Sequence, residues 1–175
     1  MDIRMLVLDV DGTLTDGKIY MSAKGELMKA FNIKDGYAIS RLKEYGIEPV
    51  IITGRESEIV KQRCAELKIT EFYQGVENKL FKLKDICAKK GLTLSQVAYI
   101  GDDVNDLPCI QQCGVTACPA DAVKKVKKAV TMITEAKGGE GAVREFCEFL
   151  VEKCCSPVDD EVADYEFSEI KFEEQ

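Results

Sequence analysis

The chain has 175 residues and a formal net charge of −7, and its composition excludes several classes of protein. No apolar run reaches the roughly 18 residues of a membrane span, and no basic stripe indicates a nucleic-acid surface. Residues 156–175 hold 8 acidic and 1 basic residues, which leaves 23 of each sign in residues 1–155. The sequence therefore predicts one neutral domain over residues 1–155 and an acidic, flexible tail over residues 156–175.

Histidine is absent, and none of the 8 cysteines forms a C-x-x-C pair, so a zinc site is not expected. Any general acid or base must then be a carboxylate, lysine, cysteine or tyrosine. Residues 1–9 contain two acids and do not resemble a secretion signal. Free thiols and the lack of a signal favour a cytoplasmic location.

Short apolar runs alternate with runs of helical periodicity along the chain. The strands are predicted at residues 3–8, 49–52, 71–73, 97–100, 115–117 and 130–133, and the helices at residues 36–45, 58–67, 79–90, 106–113, 122–128 and 142–153. This alternation predicts an α/β fold, a Rossmann-like three-layer parallel sheet with helices on both faces. Residues 18–21 and 26–31 break the alternation and predict a small β-hairpin after strand 1. Because an isolated hairpin is only marginally stable, we expect it to pack on another subunit.

The first polar motif follows the first strand, where Asp9 and Asp11 precede Gly12 and Thr13. Ligands of open α/β sheets bind beyond the carboxyl ends of the strands. Two acids at that point suit phosphate chemistry, in which one carboxylate attacks phosphorus and the other transfers the proton of the leaving group. A plain Asx turn that only ends the strand is the alternative.

Two weaker signals come from the middle of the chain. Thr53 and Gly54 follow the second strand and can bind phosphoryl oxygens at a helix N-terminus, or can simply form a polar turn. Lys79 opens the helix at residues 79–90, where the helix dipole disfavours a cation. We interpret this placement as a sign of an anionic partner, although a solvated surface charge is the simpler alternative.

The last motif, Gly101-Asp102-Asp103-Val104-Asn105-Asp106, follows the strand at residues 97–100. Three acids within five residues repel one another unless a cation lies among them. Oxygen ligands of this kind favour Mg²⁺. The alternative is a turn in which Asp103 or Asn105 caps the next helix.

Taken together, the four motifs resemble those of the haloacid dehalogenase-type phosphotransferase superfamily. Asp11-Gly12-Thr13-Leu14-Thr15-Asp16-Gly17, Thr53-Gly54-Arg55, Asn78-Lys79-Leu80 and a glycine-rich segment at residues 138–145 are similar to its branch without a large cap domain, the 3-deoxy-D-manno-octulosonate 8-phosphate (KDO-8-phosphate) phosphatases. The resemblance implies a Mg²⁺-dependent phosphatase that acts on a small sugar phosphate. It also implies a homotetramer in which neighbouring subunits complete the site and Arg144 approaches a neighbour's site.

The resemblance assigns roles to individual residues. It makes Asp9 the nucleophile and a metal ligand, Asp11 the acid/base and a ligand through its main-chain carbonyl, and Asp102 the third ligand. Asp103 and Asp106 would be supporting acids. The implied phosphate-binding residues are Thr53, Gly54 and Lys79. The implied substrate-binding residues are Asn32, Ile33, Lys34, Asp35, Gly36, Arg55 and Arg63.

Three alternatives stay open at this point. A sister group of phosphatases acts on 9-phosphates of nine-carbon sialic-type sugars. Its members tend to carry Glu where this chain has Arg55, whereas Ala38 and Ser40 depart from the eight-carbon branch. A catalytically idle tetramerisation module associated with a sialic acid cytidylyltransferase is a second alternative, and the intact pair Asp9 and Asp11 argues against it. A two-component receiver is the third, but its acids occur in another order.

Overall fold

The computed structural model describes residues 2–154, so the predicted tail at residues 156–175 lies outside the described residues. In chain order the strands are β1 (Met5–Leu8), β2 (Tyr20–Ser22), β3 (Gly25–Met28), β4 (Glu48–Ile52), β5 (Glu71–Tyr73), β6 (Val97–Ile100), β7 (Val115–Cys118) and β8 (Met132–Ile133). The α-helices are α1 (Ile33–Arg41), α2 (Glu58–Glu66), α3 (Lys79–Lys90), α4 (Leu107–Ile110), α5 (Lys124–Lys127) and α6 (Ala142–Cys154). Two short 3₁₀ segments, Leu42–Tyr45 and Leu94–Gln96, precede β4 and β6.

Six strands form one parallel sheet in the order β5-β4-β1-β6-β7-β8. Strands β1, β6 and β7 are buried along their whole length, as expected for a parallel sheet that is covered on both faces. Leu6 and Leu8 of β1 join the apolar cluster under α1 and α6, whereas Met5 and Val7 join the cluster under α3. The predicted three-layer α/β fold is confirmed.

The predicted element boundaries are close to those observed, with local differences. Helix α1 begins three residues earlier than predicted, because the side chain of Asn32 accepts a hydrogen bond from the Lys34 N–H at 2.8 Å and caps the helix there. The predicted helix at residues 106–113 is only the single turn Leu107–Ile110, and the last strand begins at residue 132 instead of 130. Apolar periodicity does not mark such ends, since short turns carry the same pattern.

Strands β2 and β3 form the predicted hairpin, an antiparallel ribbon separate from the main sheet. Its second strand ends at Met28, earlier than expected. Met21 and Leu27 are each 61% exposed, so the ribbon presents apolar side chains to its surroundings. Residues 2–154 contain no large cap domain and no helix that is both long and apolar enough to cross a bilayer.

Candidate active site

The acid motifs meet where the carboxyl ends of β1 and β6 lie side by side in the sheet. Carboxylate oxygens of Asp9, Asp102 and Asp106 all lie within 4.8 Å of one another. Asp9 and Asp106 are buried and Asp102 is partly exposed. Among the described residues these three acids can hold a metal ion. Two of them, Asp9 and Asp102, are the acids whose side chains the resemblance makes metal ligands, and Asp106 is one of the two expected supporting acids.

The loop after β1 is shaped so that Asp102 can approach its main chain. The N–H groups of Thr13, Leu14 and Thr15 all bond the carbonyl of Val10, which folds the loop back on the strand end. Gly12 has φ +95°, and a Cβ atom there would lie 2.2 Å from Oδ2 of Asp102. The hydroxyl of Thr13 donates to Oδ1 of Asp102 at 3.2 Å. Gly12 and Thr13 therefore fix the position of this acid.

Lys79, the first residue of α3, contacts two of the three clustered acids. These contacts explain why a lysine stands at this helix start. Its Nζ atom is 2.5 Å from Oδ1 of Asp9 and 2.7 Å from Oδ1 of Asp106, and only 2% of its side chain is exposed. Burial alone would lower the pKa of Lys79, but the charges of the two acids outweigh it and raise that pKa. Lys79 therefore stays protonated and cationic in the site.

Burial also acts on the acids, and it favours their neutral forms in the metal-free protein. It raises the pKa of Asp9 to about 8, against the opposing charge of Lys79 and with the help of Asp106. It raises the pKa of Asp102 to about 6, again with the help of Asp106. A divalent cation would displace these protons, because it neutralises the excess negative charge that three ionised carboxylates carry beside one ammonium group.

Asp106 uses both of its oxygens to organise the site. Oδ1 accepts from Lys79 and from the Tyr99 hydroxyl at 2.7 Å, while Oδ2 accepts from the N–H groups of Asp102 and Asp103 at 3.1 and 3.2 Å. Gly101 leaves room for it, because a Cβ atom there would lie 2.4 Å from its Cγ atom. Asp106 thus orients the loop that carries Asp102.

Asp103 and Asp11 point away from the three-acid cluster. The exposed Asp103 accepts a hydrogen bond from the Val104 N–H at 2.7 Å. Asp11 forms an ion pair with Lys29 through Oδ1, and Nε of Arg55 lies 3.9 Å from its Oδ2. The side chain of Asp11 is therefore held at the rim, two residues beyond Asp9.

The implied phosphate-binding residues follow β4, the other neighbour of β1 in the sheet. Thr53 is buried, its N–H donates to the Tyr73 carbonyl at 3.0 Å, and Gly54 is exposed. Because β1 and β4 pair in parallel, Thr53 and Asp9 emerge at the same edge. The second motif therefore lies beside the first, as its place in the sequence predicts.

The implied substrate-binding residues fall into an exposed group and a buried group. Ile33 and Lys34 are exposed at the start of α1, and 42% of the Arg55 side chain is exposed. Asp35 is 1% exposed, and its Oδ1 atom accepts from the Arg144 N–H at 2.8 Å, which caps the first turn of α6. Burial raises the pKa of Asp35. Asp35 thus joins α1 to α6 instead of facing the solvent.

Gly36, Arg63 and Asn32 form one packed contact below the site. A Cβ atom on Gly36 would lie 2.3 Å from a guanidinium nitrogen of Arg63, and that group donates to the Asn32 carbonyl at 3.4 Å. Arg63 also pairs with Glu66 at 2.8 Å. The structure therefore ties Arg63 to the turn before α1, with 15% of its side chain exposed.

The glycine-rich segment at residues 138–141 packs on the acid loop of its own chain. The Gly139 N–H donates to the Thr13 carbonyl at 3.1 Å, and a Cβ atom on Gly138 would lie 1.9 Å from the Gly12 carbonyl oxygen. Nε of Arg144 pairs with Glu148 at 2.5 Å. The segment thus supports the loop that carries Asp11.

Sequence reasoning missed Lys29, Glu26, Tyr99 and the contact of Thr13 with Asp102. Lys29 and Glu26 lie in or beside an exposed hairpin, where charged residues are ordinarily solvated. Tyr99 is an inward-facing residue of a buried strand and has the pattern of a core residue. Only the topology brings these side chains to the acids, so no local pattern could have revealed them.

Fold and site together define the class of protein. The sequence pattern of the haloacid dehalogenase-like hydrolases matches residues 71–146. The chain is also 45% identical, over 150 residues, to the 3-deoxy-D-manno-octulosonate 8-phosphate phosphatase KdsC of Escherichia coli K12, covering 86% of this chain and 80% of the relative. The chain belongs to the haloacid dehalogenase-like hydrolases, and it is a phosphatase.

Solved structures show the same similarity. The phosphatase of this name from Moraxella catarrhalis, in complex with a magnesium ion, a phosphate ion and a KDO molecule, is 39% identical with a TM-score of 0.84, covering 86% of this chain and 87% of that one. The cobalt-bound enzyme from Haemophilus influenzae is 38% identical with a TM-score of 0.83, covering 86% and 88%. Both relatives thus bind a divalent metal ion.

Proposed function

We propose that this chain is a Mg²⁺-dependent phosphatase that releases phosphate from KDO-8-phosphate by way of an aspartyl-phosphate. The observation that carries the proposal is the convergence of Asp9, Asp102 and Lys79 at one sheet edge, with Asp11 placed two residues beyond the nucleophile. Relatives at 45% identity bear the name of this activity.

The donor set fits a magnesium ion. Lys79 occupies Oδ1 of Asp9 and Thr13 bonds Oδ1 of Asp102, so each acid keeps its Oδ2 for a ligand. These two oxygens and the main-chain carbonyl of Asp11 would hold Mg²⁺, with the remaining positions for water and the phosphoryl group. When bound, the ion supplies charge neutralisation for the phosphoryl oxygens.

Two chemical steps then follow from the protein groups. In the first, a carboxylate oxygen of Asp9 attacks phosphorus, the bond from phosphorus to the sugar oxygen breaks, and that oxygen takes the proton of Asp11. In the second, Asp11 accepts a proton from water as the water oxygen attacks phosphorus and Asp9 leaves as a carboxylate. Lys79, Thr53 and the Gly54 N–H offset the charge on the phosphoryl oxygens in both steps.

The sugar end of the substrate would lie over the exposed start of α1. Asn32, Ile33 and Lys34 surround this turn, and Arg55 offers a half-exposed guanidinium group beside Asp11. A guanidinium group suits the carboxylate of a sugar acid. We assign Asp35, Gly36 and Arg63 to support this turn, because their side chains or Cα positions are packed beneath it.

Arg55 also favours the eight-carbon substrate over the nine-carbon alternative, since the group that uses 9-phosphates tends to have a glutamate there. An acid at that position would repel Asp11 and Glu26, both within 4 Å of Arg55. The idle tetramerisation module is disfavoured, because it needs neither the buried Lys79 nor the acids that it pairs with.

A substrate panel tests the proposal. Phosphate release from KDO-8-phosphate, from nine-carbon 9-phosphates and from hexose phosphates is measured with excess Mg²⁺. We expect kcat/KM for KDO-8-phosphate to exceed every other value by at least about tenfold. A nine-carbon substrate in first place would support the alternative, and equal hexose phosphate turnover would contradict both.

We also propose the oligomeric state, the location and the domain division of the enzyme. The exposed apolar residues of the hairpin, Met21 and Leu27, favour a homotetramer in which the ribbon is covered by a neighbour. The described cysteines are free thiols, which favours a reducing cytoplasm. Residues 1–155 would form the catalytic domain and residues 156–175 an appended tail. Light scattering at several concentrations tests the assembly, and a monomer would contradict it.

A further inference from the structure

The side chain of Lys29 is buried although its residue directly follows the exposed hairpin. Only 2% of this side chain is accessible, and its Nζ atom forms an ion pair with Oδ1 of Asp11. A lysine is almost never buried without a partner, because the loss of hydration is costly. Here the partner is the residue that the proposed reaction uses as acid and base.

A second acid fixes Lys29 from the other side. Oε1 of Glu26, in β3, lies 3.1 Å from the Lys29 Nζ atom, and Oε2 of Glu26 accepts a hydrogen bond from the Ser57 hydroxyl. Ser57 caps α2 by accepting from the Val60 N–H at 3.4 Å. A continuous chain of polar contacts therefore runs from the start of α2 through the hairpin to Asp11.

Arg55 is a weaker partner of the same acids. Its closest nitrogens are 3.9 Å from Oδ2 of Asp11 and 3.7 Å from Oε1 of Glu26, and its side chain is 42% exposed. Pairs of this length and exposure contribute little. Lys29, closer and more deeply buried, is the residue that determines where the Asp11 carboxylate points.

We propose that Lys29 is a positioning residue for the proposed reaction: held by Glu26, it keeps the Asp11 carboxylate turned toward the leaving oxygen and, in the second step, toward the attacking water. The inference rests on the proposed role of Asp11 and adds a function for the hairpin. The ribbon then serves catalysis within its own chain, whether or not it also contacts a neighbour. Lys29 touches none of the three clustered acids, and it contacts the side chain of Asp11 and not the main-chain carbonyl that would bind the metal, so we expect metal binding to persist without it.

The test separates the two chemical steps with two substrates. Lys29→Met keeps the length of the side chain and removes its charge, and the matched control Lys24→Met changes an exposed lysine in the turn of the same hairpin. With the sugar phosphate, whose alkoxide leaves only when protonated, we expect kcat to fall by about 10–100-fold in Lys29→Met and to stay within twofold in Lys24→Met. Lys29→Arg, which keeps the charge, should recover most of the loss.

With p-nitrophenyl phosphate the leaving group needs no proton, so only the second step should slow. Lys29→Met should then release nitrophenolate in a rapid burst near the wild-type rate, followed by slow turnover, and acid quenching should recover more aspartyl-phosphate than in the wild type. Glu26→Gln should also show a burst of nitrophenolate, with a smaller amplitude than in Lys29→Met. The apparent Mg²⁺ affinity should be unchanged.

Two results would overturn the inference. One is wild-type turnover of both substrates by Lys29→Met. The other is a parallel loss of burst rate, turnover and Mg²⁺ affinity with a lowered unfolding midpoint, which would mean that Lys29 only stabilises the fold. Failure of the proposed function gives a different result, because the wild-type enzyme would then not hydrolyse KDO-8-phosphate. The burst and turnover of Lys29→Met and wild type with p-nitrophenyl phosphate could still be compared.

Discussion

Helix α3 begins and ends with a lysine that lies between two carboxylates, and the two sites differ in burial. Lys79 contacts Asp9 and Asp106 at 2.5 and 2.7 Å, with at most 8% of any of these side chains exposed. Lys90 contacts Glu48 and Glu71 at 2.9 and 3.2 Å, with 24–35% of each side chain exposed. The same arrangement of one lysine and two carboxylates thus occurs at the carboxyl and amino edges of one sheet.

The difference in burial shows which of the two ion clusters has the properties of a binding site. At the Lys90 edge, water hydrates the charges, so the contacts contribute only about 0–1 kcal/mol each. At the Lys79 edge, burial raises the pKa of Asp9, because the charged form of this acid is no longer hydrated there. A buried cluster in which ionisation of an acid is costly reduces the stability of the fold, and it is explained by the ligands that it binds.

The largest expected effect distinguishes Asp9, at the carboxyl edge of the sheet, from Glu48, which contacts Lys90 at the amino edge. Asp9→Asn keeps the shape of the side chain but removes the attacking oxygen charge, so turnover should fall by at least about 10³-fold without loss of the fold. Glu48→Gln should leave kcat within twofold. Phosphate release and circular dichroism measure both. Activity of Asp9→Asn within tenfold of the wild type would remove Asp9 from its role.

The lysines themselves give the next comparison. Lys79→Met leaves two buried carboxylates without a cation, so we expect kcat to fall by about 100-fold and the free energy of unfolding to fall by about 3–5 kcal/mol. Lys90→Met should change that free energy by less than about 1 kcal/mol. Urea unfolding and steady-state kinetics provide the measurements. Equal effects of the two substitutions would show that burial does not distinguish these clusters.

Two glycines with positive φ compare the acid loop with the hairpin. Gly12→Ala would place a Cβ atom 2.2 Å from Oδ2 of Asp102, whereas nothing lies within 4 Å of a Cβ atom on Gly25. Both substitutions strain the backbone by about 1–2 kcal/mol. Only Gly12→Ala should also weaken Mg²⁺ binding, by about tenfold, as measured by the Mg²⁺ dependence of kcat/KM. A comparable loss in Gly25→Ala would contradict the fit of Asp102 against the loop.

The smallest expected effect is a pH dependence of stabilisation by Mg²⁺. The pKa values of Asp9 and Asp102, about 8 and about 6, are above those of an unfolded chain. The metal-free fold therefore retains these protons and loses stability as the pH rises from about 4 to 8. Mg²⁺ competes with the protons, so its increase in Tm should be larger at pH 8 than at pH 5.5, by about 2–4 °C. Equal increases would contradict the assignment.

The sequence predicts the fold and the acids because both depend on local patterns. Strand β6 and helix α3 have their predicted bounds, since buried apolar runs and the glycine after α3 mark them clearly. Asp9 and Asp102 were identifiable because parallel strands bring their carboxyl ends to one edge. Resemblance to a known family supplied the role of Lys79, which position alone only hinted at.

The remaining contacts depend on the tertiary structure. Asp35 was expected at the substrate, but its partner is the main chain of Arg144, more than 100 residues away. Lys29 reaches Asp11 from the end of the hairpin, and Tyr99 reaches Asp106 from within a buried strand. No spacing in the sequence records which side chains a fold brings together over such separations.

The most direct measurement is to find the residue that carries the phosphoryl group during turnover. Enzyme mixed with Mg²⁺ and KDO-8-phosphate is quenched in acid, digested and analysed by mass spectrometry. We expect the mass of one phosphoryl group on the peptide that contains Asp9, and none in Asp9→Asn or when EDTA replaces Mg²⁺. Phosphate release by the wild type with the label on another residue, or with no labelled peptide at any quench time, would contradict the account.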